Sequence, residues 1–125
     1  MNYFLSIGAT FGLLGVMIGA FGAHGLEGKL TEHALARFQT GVEYQFYHAG
    51  ALLIIGLALS QAQSSQLTLS GIFFTLGIIL FSGSLYAYAL TGTKFFGMIT
   101  PLGGLCFLIG WGLLLAFSIK TQIHT

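Results

Sequence analysis

Two histidines, a glutamine and a few hydroxyl side chains are the residues of this 125-residue chain best able to do chemistry. His24 lies in a glycine-rich stretch, GAFGAHGL, and His48 follows a tyrosine-rich one, EYQFY. An imidazole inside an apolar segment can bind a ligand, carry a proton or join two helices through hydrogen bonds. Gln45 and His48 are three residues apart, so on a helix they point the same way. We expect these side chains to act either as structural links or as a ligand, proton or partner site.

Hydroxyl side chains near the same ends of the apolar segments extend this set. The predicted polar-end site consists of His24, Gln45, His48, Ser82, Ser84 and Thr100. For His48 we predict His24 as the hydrogen-bond partner, or else Ser82 and Ser84, because an intramembrane polar group needs a partner.

Recognisable catalytic and metal-binding patterns are missing from the sequence. There is no HExxH pattern and no Cys/His spacing typical of a zinc site, so we predict no metal and no cofactor. Cys106 lies deep in an apolar run with no base nearby, and Ser82-Gly83-Ser84 lacks the strand–turn–helix context of a nucleophile elbow. We therefore predict no catalytic residue.

Composition places the elements that carry these residues in a membrane. The chain is 55% hydrophobic and 6% charged, with a mean hydropathy of +0.89, whereas soluble domains carry roughly 25% charged residues. Its formal net charge of +1 gives no electrostatic footprint for nucleic acid. The sequence predicts a single-domain, multi-pass protein of the cell's inner membrane, with the lipid bilayer as its surroundings.

Four apolar segments approach the length of about 20 residues that a membrane-spanning helix needs. They cover approximately residues 3–23, 44–62, 68–90 and 98–119. The first is interpreted as a retained span, because residues 1–2 lack the Lys or Arg of a signal peptide. The predicted fold is all-α, a four-helix up-down bundle. Within it, we expect the regular part of the fourth span to begin at Pro101.

The stretch between the first two spans has a helical apolar period. From residue 31 to 43, Leu35, Phe38 and Val42 recur at helical spacing and charged side chains take the other faces. Thr31 suits the N-cap position. The pattern predicts an amphipathic helix lying at the membrane surface and running into span two. A cap outside the membrane, packed on the bundle, is an equally good interpretation.

Glycines recur at spacings that favour close helix packing. In span one they are separated by four, three, four and three residues, which is a heptad pattern. Helices in a bilayer gain from the close backbone approach that small residues allow. The predicted packing glycines are Gly8, Gly12, Gly15, Gly19, Gly22, Gly77, Gly103, Gly104 and Gly110.

Four segments also resemble a known family. GAFGAHGL at 19–26, TGVEYQFYHA at 40–49, LFSGSLYAYAL at 80–90 and ITPLGGLCFLIGW at 99–111 are similar to signature segments of the domain of unknown function 423 family, which includes transmembrane protein 256-like proteins. The resemblance implies a small four-span inner-membrane protein with no established activity. The residues that carry it are Gly19, Gly22, His24, Gly25, Gln45, His48, Ser82, Ser84, Pro101, Gly103 and Gly104.

Two functions of different kinds follow from these features. The first is a non-enzymatic bundle that acts through homo-oligomerisation or through association with a membrane protein partner or lipid. The alternative is an oligomeric pathway for a small solute, an ion or a proton, or a ligand site, built on His24, Gln45 and His48. Membrane orientation stays open, because Lys29, Arg37 and Lys94 favour a cytoplasmic polar end whereas the resemblance implies cytoplasmic termini.

Overall fold

The computed structural model describes residues 2–123, and its regular elements are all helical. They are α1 (Phe4–Gly25), α2 (Glu32–Gln61), α3 (Ser65–Gly77), a π-helical turn (Ile78–Ser82), α4 (Gly83–Thr91) and α5 (Lys94–Ile123). The elements α3, the π turn and α4 follow one another without a break and form one rod, the third span, Ser65–Thr91. All four rods are long and apolar enough to cross a membrane. The predicted all-α fold with four spans is confirmed.

The predicted surface helix and the second span form one continuous helix. Thr31 caps it, with its hydroxyl accepting a hydrogen bond from the Ala34 backbone N–H at 3.1 Å. Thirty residues at about 1.5 Å each exceed the ~30 Å hydrocarbon core, so the first turns of α2 project beyond it. The buried Phe38 packs on Gly22 of α1 and holds these turns against the bundle. The helix between the first two spans thus runs into span two without a break, and its contact with Gly22 agrees with the interpretation as a cap packed on the bundle.

The last span also begins earlier than predicted. A left-handed glycine, Gly92 (φ 70°), ends α4, and its N–H donates to the Tyr88 carbonyl at 2.8 Å. Helix α5 then starts at Lys94, and Pro101 lies inside it rather than at its beginning. Pro101 is the eighth residue of α5, so it has no N–H to donate to the Gly97 carbonyl, and the helix continues through it. The residues before Pro101 are therefore part of the helix.

Helix α2 and the third span form the interior of the bundle. Helix α1 packs on α2, α2 packs on the third span, and α5 packs on the third span from its other side. The larger core cluster joins Leu52, Ile55, Phe74, Ile78 and Phe107 across these rods. Consequently α1 and α5 present most of their side chains to lipid.

The glycines of α1 face α2 once every seven residues. A methyl group on Gly8 would lie 2.9 Å from the Ala49 carbonyl oxygen, and one on Gly15 would lie 2.9 Å from the ring of Phe46. Gly22 contacts the Phe38 ring in the same way, and Gly19 touches only Val42, at 3.3 Å. The structure corrects the prediction at Gly12, where nothing lies within 4 Å.

Aromatic rings pack against several of the remaining glycines. Gly77 receives the ring of Phe107 and Gly110 receives the ring of Phe74, so the third span and α5 interlock reciprocally. Gly103 instead meets the backbone of Phe81, while a methyl group on neighbouring Gly104 would lie 3.9 Å from that ring. Ring insertion is therefore at least as important here as the backbone-to-backbone approach inferred from the sequence.

Candidate functional site

Gln45 joins three helices through its side-chain amide. It is 2% exposed, and its Nε2 donates to the Phe11 carbonyl of α1 at 2.8 Å. The Tyr86 hydroxyl of α4 donates to its Oε1 at 2.7 Å. An amide with both ends bonded to neighbouring helices acts as a link, and its paired atoms are not available to a passing solute.

The predicted serines and threonine are also bonded within the bundle. Ser82 donates to the Gly41 carbonyl of α2 at 2.7 Å, and the Ser84 and Thr100 hydroxyls are 2.6 Å apart, joining the third span to α5. A similar link that the sequence did not predict lies deeper in the bundle, where the buried Ser70 donates to the Gly110 carbonyl at 2.7 Å. Ser70, Gly77 and Ser84 follow one another at seven-residue intervals, which was the available signal.

His48 is bonded to a residue that the sequence did not suggest as its partner. Its Nδ1 lies 2.6 Å from the Tyr44 carbonyl oxygen, and the indole Nε1 of Trp111 donates to its Nε2 at 3.0 Å. An indole N–H is a donor only, so Nε2 accepts and Nδ1 carries the proton. The imidazole is neutral, stacks on Phe107 at 3.5 Å between ring centroids, and has no free nitrogen.

His24 is separate from this arrangement. It is exposed in the last turn of α1, and within residues 2–123 no hydrogen bond to it is found. The structure therefore corrects the predicted pairing of His24 with His48, and that of His48 with Ser82 and Ser84. The predicted polar-end site is a series of separate interhelical links, with His24 outside them.

The main recess beside His48 is an aromatic pocket of about 370 Å³ between α2, the π turn and α5. Six of its eight lining residues carry rings. The pocket is lined by Tyr44, Tyr47, His48, Phe81, Gly104, Phe107, Leu108 and Trp111. Leu108 is 71% exposed and Tyr47 58%, so the pocket opens sideways at membrane depth. No Asp, Glu, Lys or Arg lines the pocket, so its walls suit an apolar molecule.

A second recess lies between α1 and α2 nearer the polar end. It measures about 220 Å³ and is lined in part by Gly19, Gly22, Gln39 and Glu43. None of the six predicted polar-end residues lines it. Within residues 2–123 there is no group of three or more His, Cys, Asp or Glu side chains that could hold a metal ion.

The bond between His48 and Trp111 can be measured by a double-mutant cycle. His48→Phe removes the acceptor and keeps a ring against Phe107, whereas Trp111→Phe removes the donor. We expect each variant to lower the free energy of unfolding, and the double variant to cost about 1 kcal/mol less than the sum of the two. Unfolding by sodium dodecyl sulfate in mixed micelles, followed by circular dichroism, gives the four values. If the losses in free energy of unfolding of the two single variants add up to that of the double variant, His48 and Trp111 do not form this hydrogen bond.

Comparison with known proteins gives one family match and a set of full-length relatives. Residues 18–104 match the family described as Protein of unknown function (DUF423). A UPF0382 membrane protein of Staphylococcus aureus (strain bovine RF122 / ET3-1) is 45% identical over 120 residues, which cover 96% of this chain and 98% of the relative. The UPF0382 membrane protein YwdK of Bacillus subtilis (strain 168) is 43% identical, with 96% and 98% covered.

A relative from Escherichia coli (strain K12), the UPF0382 inner membrane protein YgdD, is 39% identical, with 97% of this chain and 92% of the relative covered. Its name agrees with the predicted inner-membrane location. No solved structure gives a significant match to the chain.

Proposed function

Because this chain belongs to the DUF423 family, whose relatives are named membrane proteins, we propose that it acts as a non-enzymatic membrane protein that binds a hydrophobic molecule taken from the bilayer. The observation that carries the proposal is the aromatic pocket between α2 and α5. Trp111, which lines it, lies near the middle of α5, so the pocket opens into hydrocarbon rather than into water.

The size and lining of the pocket support binding. Its volume of about 370 Å³ falls within the range of roughly 300–1,000 Å³ that small-molecule sites occupy. The nitrogens of His48 and the N–H of Trp111 are already paired with each other or with backbone, so the deep part of the pocket presents ring surfaces only. A hydrocarbon group can enter it without leaving a polar atom unpaired.

The pathway alternative receives no comparable support. The amide of Gln45 and the hydroxyls of Ser82, Ser84 and Thr100 are bonded between helices. Moving a solute past them would require these bonds to break in turn. Homo-oligomerisation and a membrane protein partner stay predictions of the sequence.

A matched pair of glycine variants on α5 tests the proposed pocket. Gly104→Leu places a side chain in the pocket, where a Cβ makes only ordinary contacts at 3.9 Å. Gly112→Leu, the control, adds the same side chain where nothing lies within 4 Å. The probe is a phosphatidylcholine brominated midway along its acyl chains, which quenches the fluorescence of Trp111, the only tryptophan, when protein in lauryl maltoside micelles is titrated with it.

We expect saturable quenching in the unmodified protein and in Gly112→Leu, and binding weaker by at least about tenfold in Gly104→Leu. Quenching that rises linearly with lipid, or equally in both variants, would show simple mixing in the micelle and overturn the proposal.

A further inference from the structure

Two of the rings that line the aromatic pocket carry hydroxyl groups. Tyr44 and Tyr47 both line it, and their rings are 5.6 Å apart. Across residues 2–123, neither hydroxyl has a hydrogen-bond partner, in contrast to the hydroxyl of Tyr86, which donates to Gln45. A phenol can donate one hydrogen bond and accept others. The two hydroxyls can therefore donate to a molecule in the pocket.

The position of these tyrosines along α2 fixes which end of the pocket is polar. They precede Gln61 by 17 and 14 residues (61 − 44 and 61 − 47), which is about 26 and 21 Å at 1.5 Å per residue. Both lie in the half of a ~30 Å core that is nearer the polar end, and helical side chains lean further towards the N-terminus. The donors thus lie at the headgroup end, and Trp111 lies at the hydrocarbon end.

The deeper walls favour a flat ring over a flexible chain. The ring of Phe107 lies parallel to that of His48, with 8° between their planes, and also packs against Phe81. Aromatic walls gain from stacked or edge-on contact with another ring, beyond the area that they bury. Gly104 leaves the space for such a ring, because it has no side chain to occupy that part of the pocket.

The lack of a positive charge in the lining argues against an anionic occupant. No Lys or Arg lines the pocket. Arg37 is on α2, as Tyr44 and Tyr47 are, but its guanidinium lies over the ring of Tyr88, 4.3 Å from the ring centroid. A carboxylate or phosphate entering the pocket would lose its hydration without gaining a counter-ion. An anion is therefore excluded, and a neutral occupant is the one that needs no counter-ion in this pocket.

Resting on the proposed lipid-binding function, we infer that the occupant is a neutral ring lipid with a carbonyl oxygen, of the chemical class of the membrane quinones. Its carbonyl accepts from Tyr44 or Tyr47, its ring lies among the aromatic walls beside Gly104, and its hydrocarbon tail leaves sideways past Leu108.

Three neutral probes separate the features of this occupant. Decyl-para-benzoquinone has the ring and the carbonyl, decylbenzene has the ring alone, and methyl dodecanoate has a carbonyl on a chain. Binding of each to the full chain in lauryl maltoside is measured by titration calorimetry. We expect the quinone to bind at least about tenfold more tightly than the other two. Tyr44→Phe and Tyr47→Phe keep the rings and should each weaken quinone binding about fivefold, with decylbenzene unaffected.

The outcomes distinguish this inference from the proposed function. If the brominated phosphatidylcholine binds in a way that Gly104→Leu abolishes, but the quinone binds no better than methyl dodecanoate, the pocket takes an acyl ester and the ring assignment is wrong. If the quinone binds equally to both tyrosine variants and to the unmodified protein, the assigned hydrogen bonds are wrong. If none of the probes binds, the proposal that this pocket binds a hydrophobic molecule is wrong.

Discussion

Replacing Gly103 by alanine is expected to destabilise the bundle severely, whereas the same change at Gly104 should have little effect. A methyl group on Gly103 would overlap the backbone nitrogen of Phe81 and lie 2.7 Å from its Cα. Backbone atoms cannot move aside as the end of a flexible side chain can, so α5 and the third span must separate locally. Overpacking of this kind costs about 1–3 kcal/mol, and we expect the upper part of that range.

The neighbouring glycine makes the comparison well controlled. At Gly104 a methyl group would lie 3.9 Å from the Phe81 ring, an ordinary contact distance. Both variants add one methyl group to the same helix, so any difference in intrinsic helix propensity cancels. The free energy of unfolding, measured with sodium dodecyl sulfate in mixed micelles, should fall in Gly103→Ala alone. Equal values for the two variants would show that α5 does not approach Phe81 as described.

Gln45→Ala is expected to loosen three helices with one substitution. The change leaves the Tyr86 hydroxyl without its acceptor and the Phe11 carbonyl without its side-chain donor, and it opens a cavity at a site that is almost fully buried. We expect a loss of about 2–3 kcal/mol in the free energy of unfolding, since an unpaired buried polar group costs about 1–3 kcal/mol before the cavity is added.

An exposed glutamine on the same helix provides the control. Gln39→Ala removes an equal side chain from an exposed position at the rim of the recess between α1 and α2, and it should change stability by less than about 0.5 kcal/mol. In Gln45→Ala, hydrogen exchange should also rise in α1 near Phe11, because that helix packs mainly on α2. A loss matching that of Gln39→Ala would mean that the Gln45 amide contributes nothing to helix association.

Hydropathy was sufficient to predict the number of spans, because crossing the bilayer constrains length and composition together. It also grouped Gln45, Ser82 and Ser84 towards one end. It could not predict their partners, because these depend on how each helix is rotated about its axis. That rotation is set by contacts between residues far apart in the chain, such as the packing of the Phe107 ring against Gly77.

His48 shows the same limit within a single residue. Its burial and its need for a hydrogen bond followed from its place in an apolar segment, but the imidazole bonds to Trp111, 63 residues away. A tryptophan at mid-span carries no pattern that distinguishes a packing role from a donor role. The start of α5 was misplaced for a different reason, because proline favours the first helical position, whereas Pro101 is the eighth residue of α5.

The π turn at Ile78–Ser82 has a consequence for how this chain can vary over time. Its i→i+5 hydrogen bonds enclose one residue more than an α-helical turn does, with the Gly83 N–H donating to the Ile78 carbonyl. Losing one residue there would let the rod continue as a regular α-helix, whereas losing one residue from α3 or α4 would rotate everything after it by about 100° relative to what precedes it. Descendants of the sequence should therefore lose a residue from this turn more readily than from the α-helical parts of the rod.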